Sequence, residues 1–226
     1  LEELCKVEGI EWIRLHYAYP AYFPDEVIEV MAREPKICKY LDIPFQHISD
    51  SQLRGMKRRH TRAEAEQLIA KLRQAIPDIA IRTTLLVGYP NETEEDYQQL
   101  VEFVATTRFE RMGVFPYCEE EGTFSATLED NIPEETKNGR AERLMNIQSE
   151  ISLQLNQQRV GSELRVIIDS LEGDYFIARS EYDSPEVDQE ILIDGECCEL
   201  EIGSFYNVVI IKAEEFDLYA ELSTNN

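Results

Sequence analysis

The chain has 226 residues, of which 43% are hydrophobic and 30% charged, a composition typical of one or two globular domains and not of a disordered chain. Its formal net charge is −23, because 45 acidic residues outnumber 22 basic ones. Since binding to a nucleic-acid backbone depends on Lys and Arg, this balance argues against direct nucleic-acid binding and favours a basic protein as partner.

The first half alternates strand-like and helix-like segments. The predicted strands are Glu11–Ala18, Lys39–Phe45, Ala80–Gly88 and Arg111–Cys118. Four such units in succession predict parallel strands with right-handed crossovers, in either a barrel or an open doubly wound sheet. Because a complete eight-fold barrel typically takes about 250 residues, only part of one would fit here.

Helix-start signals separate these strands. Pro24 lies in the first turn of one predicted helix, and three N-cap pairs follow: Ser49 with Gln52, Thr61 with Glu64, and Thr93 with Asp96. The first two pairs predict full capping boxes. The acidic run at 92–96 is interpreted as structural, because carboxylates are stabilised at a helix N-terminus.

The second half changes character near residue 160. A loop at 119–130 leads to a predicted helix at about 133–159, and five short strands separated by Gly or Asp turns follow Gly161. This spacing predicts a small closed barrel of the OB type. We therefore expect two domains, 1–159 and 160–226. The second has three basic and 17 acidic residues, a net charge of −14.

The cysteines indicate free thiols. There are five, an odd number, and none forms a C-x2-C or C-x3-C-x2-C group. Cys197 and Cys198 are adjacent in a predicted strand edge, so we do not expect them to share a metal. No signal peptide or membrane-length apolar run is found, which favours a cytoplasmic protein without membrane contact. Because the chain opens at Leu1 in the middle of a pattern, we expect a piece of a longer protein.

Polar and aromatic residues follow all four predicted strands, where parallel β/α folds place their binding groups. They are His16, Tyr17 and Tyr19; Gln46 and His47; Gly88, Tyr89 and Pro90; Phe115 and Tyr117. The pattern indicates a site without specifying a reaction. The basic run at 57–62 is either a solvated loop or an anion contact. Walker, G-x-S-x-G and Rossmann motifs are absent from the sequence.

Three segments in order resemble the radical-SAM methylthiotransferases. They are LDIPFQHISDSQLRGMKRRHTR (41–62), IRTTLLVGYPNETEEDY (81–97) and FPYCEEEGTFSA (115–126). G-Y-P-N-E-T at 88–93 is similar to that family's G-F-P-G-E-T turn, and the region after Gly161 is similar to its TRAM domain. The resemblance implies a partial TIM-like radical-SAM barrel followed by TRAM. Within the family the sequence is nearest to the RimO type.

The resemblance also implies a reaction and its cofactors. The intact protein would add a methylthio group to the β-carbon of an aspartate in ribosomal protein S-twelve, using S-adenosylmethionine (SAM) and two 4Fe–4S clusters. The family's cluster-binding cysteines have no match in this chain, so we expect the chain itself to be inactive and to bind no cluster stoichiometrically.

The residues that the resemblance assigns fall into two groups. Those implied to line the SAM pocket are Gln46, Thr84, Val87, Gly88, Tyr89, Pro90, Phe115 and Tyr117. Those implied to contact substrate are Tyr17, His47 and Arg82.

Two alternatives remain open from the sequence. The tRNA-modifying branch of the family is the first, although its TRAM domain would need a positive face. The second is a non-catalytic, acidic protein-binding module.

Overall fold

The structure is a computed structural model that describes residues 1–196 and 199–223. Its first four strands are β1 (Ile13–Leu15), β2 (Ile37–Asp42), β3 (Ala80–Val87) and β4 (Arg111–Pro116). They form one parallel sheet in the order β1-β2-β3-β4. The predicted strands and their direction are confirmed, although β1 is shorter than expected.

Helices cover one face of this sheet. They are α1 (Glu2–Cys5), α2 (Asp25–Arg33), α3 (Asp50–Gly55), α4 (Arg62–Ala75), α5 (Glu94–Thr107) and α6 (Glu134–Gln157). Ile81, Leu85 and Val87 of β3 pack into the main core on the helical side. The alternate residues Arg82, Thr84 and Leu86 are only partly buried, because they point to the opposite face. We call that opposite side the open face.

The predicted capping boxes are partly wrong. Thr61 caps α4 with Glu64 as expected, and Thr93 forms a full box with Asp96 at the start of α5. Ser49 makes no side-chain cap at α3. Its hydroxyl instead donates to Asp96, so a tertiary hydrogen bond replaces the local one.

The second half is the predicted closed barrel, which is confirmed. Its strands are β5 (Glu163–Glu172), β6 (Tyr175–Ser180), β7 (Glu190–Asp194), β8 (Phe205–Ala213) and β9 (Asp217–Leu222), in the order β5-β6-β7-β9-β8. Inward side chains such as Val166, Ile191 and Val208 are fully buried in a core of their own. Closure leaves this module without an open sheet edge.

One loop of the barrel module covers the N-terminal half of the sheet's open face. Asp183 in this loop pairs with Arg111 at 2.5 Å, and Asp188 accepts hydrogen bonds from Tyr40 Oη at 2.8 Å and Arg82 Nε at 3.3 Å. Both carboxylates are almost completely buried. We call this contact, made by loop 181–189, the floor of the sheet.

Two further predictions concern the adjacent cysteines and membrane spans. Cys197 and Cys198, which we expected not to share a metal, lie outside the described residues. Among the residues that are described, no helix combines the length and the apolar character needed to cross a bilayer.

Candidate functional site

A cavity of about 390 Å³ opens at the C-terminal ends of the strands. We call it the rim cavity. Gln46, Leu86, Tyr89 and Tyr117 line it from the sheet, and residues 56–58 and 123–125 line it from two loops. Its volume lies in the range of small-molecule sites. Three of the predicted site residues (Gln46, Tyr89 and Tyr117) are therefore brought together.

Gln46 is held at the rim by backbone hydrogen bonds. Its N–H donates to the Thr84 carbonyl at 2.9 Å, and its carbonyl accepts from Leu86 N–H at 2.7 Å. Its φ of 69° lies in the left-handed region, which non-glycine residues adopt only at a cost. This one-residue extension of the sheet turns the chain after β2 so that the Gln46 side chain faces the cavity.

Two tyrosines form the far wall. The Tyr89 and Tyr117 rings meet edge to face, with 5.3 Å between their centroids. The Tyr89 hydroxyl donates to the Gly55 carbonyl at 3.0 Å, and burial raises its pKa. Tyr117 is 5% exposed, and its hydroxyl has no partner within the described chain. A buried hydroxyl without a partner is costly, so the cavity offers a bound ligand an unused donor and acceptor.

Gly88 permits a close approach beneath this wall. Its φ is +72°, and an added Cβ would lie 2.2 Å from Cγ of Lys137. The Lys137 side chain is 1% exposed and pairs with Asp130 at 2.6 Å and Glu134 at 2.8 Å. Its ammonium lies 5.3 Å from the centre of the Tyr117 ring. Sequence reasoning found Gly88 but missed Lys137, for which no local motif gives a signal.

Glu92 organises the turn after β3. Its carboxylate is buried and accepts from Gly88 N–H at 2.7 Å, from Arg140 at 2.5 Å and from the His47 ring at 3.0 Å. The sequence placed Glu92 in a structural acidic run and did not indicate these tertiary contacts. A Glu four residues after Gly88 in the G-Y-P-N-E-T turn was the available signal.

His47 lies inside the rim of the sheet, and its predicted substrate contact stays a prediction. The side chain has no exposed surface. Its Nε2 faces Glu92, and its Nδ1 accepts hydrogen bonds from the N–H groups of Ile48 and Ser49 at 2.9 Å each. With both ring nitrogens engaged, His47 ties the turn after β3 to the start of α3 in this structure.

The basic run at 57–62 is interpreted from the sequence as either a solvated loop or an anion contact, and its residues differ in their surroundings. Lys57 and Arg58 line the rim cavity, with the Lys57 ammonium 3.4 Å from the centre of the Phe124 ring. Arg58 donates to the Pro44 carbonyl at 2.6 Å, while its Nε has no partner in the described residues. His60 is buried, and burial followed by the Arg58 charge lowers its pKa.

The remaining predicted residues are spread around the cavity. Thr84 and Phe115 lie on the open face, and Phe115 is 56% exposed. Val87 and Pro90 are buried, with the Val87 side chain directed into the helix-covered core. Only the Val87 backbone reaches the rim, where its carbonyl accepts from Tyr117 N–H at 2.8 Å.

Arg82 and Tyr17 lie away from the rim cavity. Arg82 belongs to the floor, where it pairs with Asp42 at 3.2 Å and Asp188 at 3.3 Å, and its predicted substrate contact stays a prediction. Tyr17 is 85% exposed beyond the end of β1. Its φ is 55°, and its N–H donates to Asp42 at 3.2 Å.

The described residues do not offer a metal or cluster site. Within ranges 1–196 and 199–223, no three His, Cys, Asp or Glu side chains are grouped to hold a metal ion. Cys118 lines the rim cavity without a second thiol beside it in that part of the chain. Among these described residues a 4Fe–4S cluster therefore has no ligand set.

Two family models match the chain. Residues 1–104 match the radical SAM superfamily, and residues 160–222 match the TRAM domain. The first match contains β1 to β3 and the G-Y-P-N-E-T turn, and the second contains the closed barrel.

Curated proteins from two bacteria are similar along nearly the whole chain. "Ribosomal protein uS12 methylthiotransferase RimO" of Christiangramia forsetii is 56% identical over 98% of this chain and 49% of its own length. The protein of the same name from Flavobacterium johnsoniae is 55% identical over 98% of this chain and 51% of its own. The chain thus spans about half the length of the curated relatives it matches.

A solved structure supports the fold. Coproporphyrinogen III oxidase (HemN) from Escherichia coli, described as a radical SAM enzyme, matches 92% of this chain and 50% of its own with a TM-score of 0.54 and 14% identity. At that identity the likeness concerns the fold alone. The two domain matches and the curated relatives show that the chain belongs to the RimO-type radical-SAM methylthiotransferase family.

Proposed function

We propose that the intact protein adds a methylthio group to an aspartate of ribosomal protein uS12, and that this chain holds the nucleoside part of SAM in the rim cavity. The observation that carries the second statement is the unpaired Tyr117 hydroxyl in a cavity of about 390 Å³ at the strand ends. The relatives' name supports the first.

The cavity fits a nucleoside by its chemistry. Tyr117 supplies an unused hydroxyl and Arg58 an unused Nε–H, so hydroxyl and ring-nitrogen acceptors of a ligand find donors there. Leu86 and the edges of Tyr89 and Tyr117 supply apolar and aromatic walls for a flat base. Gln46 adds an amide that both donates and accepts. Phe115 and Thr84 extend this surface along the open face.

The chain's own contribution is positioning and exclusion of water. In the intact protein, SAM and a reduced 4Fe–4S cluster would supply the one-electron chemistry. The hydrogen bonds of the Glu92 carboxylate fix the turn that carries Tyr89, and the Lys137 ammonium packs near the Tyr117 ring. The floor closes the opposite end of the open face with paired charges. We propose no acid–base role for any of these residues.

Charge supports a basic protein as the substrate. The barrel module carries 17 acidic and three basic residues, which would repel a phosphodiester chain and attract a Lys- and Arg-rich polypeptide. We therefore favour uS12 over tRNA and expect no direct nucleic-acid binding. Binding of uS12 should weaken steeply as salt is added.

We also propose the division into domains 1–159 and 160–226, and a cytoplasmic location beside the ribosomal substrate. The end of α6 at Gln157, the start of β5 at Glu163 and the TRAM match from residue 160 support this boundary.

The test is a reaction with defined products. Intact protein, reconstituted anaerobically with iron and sulfide, is incubated with SAM, reductant and either uS12 or tRNA. We expect a mass gain on one uS12 aspartate equal to a methylthio group replacing hydrogen, with tRNA unchanged. Modification of tRNA would support the other branch of the family. No product on either substrate would favour the non-catalytic binding module.

A further inference from the structure

A second cavity of about 220 Å³ runs along the outer edge of β4. We call it the edge groove. It is lined by Met112 and Gly113 of β4, Gln148 and Ser152 of α6, and Val187 and Phe216 from two loops of the barrel module. Met112 and Gly113 point to opposite faces of the sheet. Because both line the groove, it follows the edge of the strand and not one face.

The edge of β4 is open within the described residues, where β4 pairs with β3 alone. Tyr117 N–H donates to the Val87 carbonyl, so amides two and four residues earlier also point towards β3. The amides of Met112 and Val114 then point outwards. Pro116 stands at the next outward position, where a strand tolerates the loss of an N–H. A peptide in an extended conformation can therefore pair with this free edge and lengthen the sheet by one strand.

Two buried amide oxygens at the groove lack partners in the described chain. They are Oε1 of Gln148, a residue 1% exposed, and Oε1 of Gln189, a residue 8% exposed. Nε2 of Gln148 donates to the Phe109 carbonyl at 2.9 Å, which fixes its oxygen as the free end. Both glutamines line the groove. Unused acceptors in a buried site call for N–H donors from a ligand.

The edge groove continues into an acidic one. Asp188 and Gln189 also line a cavity of about 380 Å³ whose wall carries Asp169, Glu172, Glu186 and Glu190. Arg179 is the basic residue in that wall, and it pairs with Asp169 at 2.8 Å. Burial, followed by the charges of Asp217 and Glu172, raises the pKa of Glu190. Asp169 and Asp188 have Arg partners, whereas Glu172, Glu186 and Glu190 make no ion pair within the described residues.

We propose that the edge groove binds an extended segment of the basic protein substrate, which adds to β4 as a further strand and places a Lys or Arg side chain beneath Gln148 and Gln189. This rests on the proposed function. Complementarity identifies the occupant. The outward amides of β4 can hydrogen-bond to an added strand, and the two free Oε1 atoms can accept from N–H groups of a Lys or Arg side chain. The neighbouring acidic cavity attracts further basic side chains. Val187 and Phe216, 58% and 49% exposed, are available to apolar side chains of the segment.

The first test is hydrogen exchange of β4 amides in the intact protein, with and without purified uS12. We expect the Met112 and Val114 amides to exchange more slowly when uS12 is bound. The amides that already pair with β3 should change little. If uS12 binds and the outward amides exchange as before, the groove proposal is wrong and the proposed function stands.

The second test uses Gln148→Leu and Gln189→Leu, alone and combined. Gln189→Leu removes an unpaired acceptor, whereas Gln148→Leu also removes the hydrogen bond from Nε2 to the Phe109 carbonyl. The free energy of unfolding of each variant is therefore measured beside its affinity for uS12, and Gln189→Leu carries the test if Gln148→Leu unfolds. We expect the double variant to bind uS12 about tenfold more weakly. Gln157→Leu, on an exposed position of the same helix, should bind like the parent protein.

The two failures are distinguishable. Absence of uS12 binding to the intact parent protein contradicts the proposed function itself. Protection of Met112 and Val114 in the intact protein without uS12, but not in the 226-residue chain, shows that another segment of the protein fills the groove. That result, or unchanged affinity in the double variant, overturns the inference.

Discussion

The two ends of the open face are built differently. At the floor, Arg111 pairs with Asp183, and Arg82 with both Asp42 and Asp188, so the buried guanidinium groups have carboxylates beside them. At the rim, the Tyr117 hydroxyl and Arg58 Nε are buried and have no partner in the described residues. The same sheet therefore carries a closed contact at one end and unmet hydrogen bonds at the other.

The difference separates structural from binding chemistry. Buried charges at the floor are tolerated because each is paired, and removal of one member leaves the other uncompensated. Unpaired polar atoms at the rim weaken the ligand-free protein, but they lower the cost of binding a ligand that supplies their partners. The comparison predicts that substitutions at the floor change stability, whereas substitutions at the rim change ligand affinity.

Asp183→Asn should have the largest effect on folding. It leaves the nearly buried Arg111 side chain without its carboxylate, and we expect the free energy of unfolding to fall by about 3–5 kcal/mol. Denaturant titration of the intact protein gives this value. Asp25→Asn is the matched control, because its pair with Lys71 is exposed and should cost less than about 1 kcal/mol. Equal losses in both variants would contradict the closed floor.

Gly88→Ala should come next. The new methyl group meets Lys137 beside the rim, and a left-handed φ adds strain, so we expect a loss of about 2–3 kcal/mol. Gly139→Ala is the control, since an added Cβ there meets no atom within 4 Å in a helix. It should stabilise the protein by up to about 1 kcal/mol in the same unfolding experiment. A harmless Gly88→Ala would show that Lys137 does not pack as described.

The smallest expected effect is on the pH dependence of stability and arises from His60. Burial lowers the pKa of His60, so the unfolded chain binds a proton more readily than the folded one. Stability contributed by neutral His60 is present above its unfolded pKa of about 6.5 and is lost as the pH falls below it. His60→Gln should flatten this part of the pH dependence of the urea midpoint. His16→Gln, at an exposed position, should leave it unchanged.

Much of the fold could be predicted because its signals are local. Alternating β/α segments, Gly161 and five short strands predicted the parallel sheet and the closed barrel, which are confirmed. The capping box at Ser49 failed because Asp96, distant in sequence, competes for the hydroxyl. A spacing rule cannot detect a partner on another helix.

The candidate site was predicted less completely. Gln46, Tyr89 and Tyr117 meet at one cavity because strand ends of a parallel sheet share an edge. The resemblance implied His47 and Arg82 as substrate contacts but gave no signal for the tertiary partners that bury the first and pair the second. The floor gave no sequence signal, because Asp183 and Asp188 reach the sheet from a loop of the other module.

The most direct measurement is the affinity of SAM for the intact, reconstituted protein and for its Tyr117→Phe variant. Because the Tyr117 hydroxyl is unpaired, its removal should weaken SAM binding by about tenfold while the unfolding free energy of the ligand-free protein does not fall. Tyr22→Phe, at a residue 86% exposed, should bind SAM like the parent. Equal SAM affinity in Tyr117→Phe and the parent would contradict the assignment of the rim cavity.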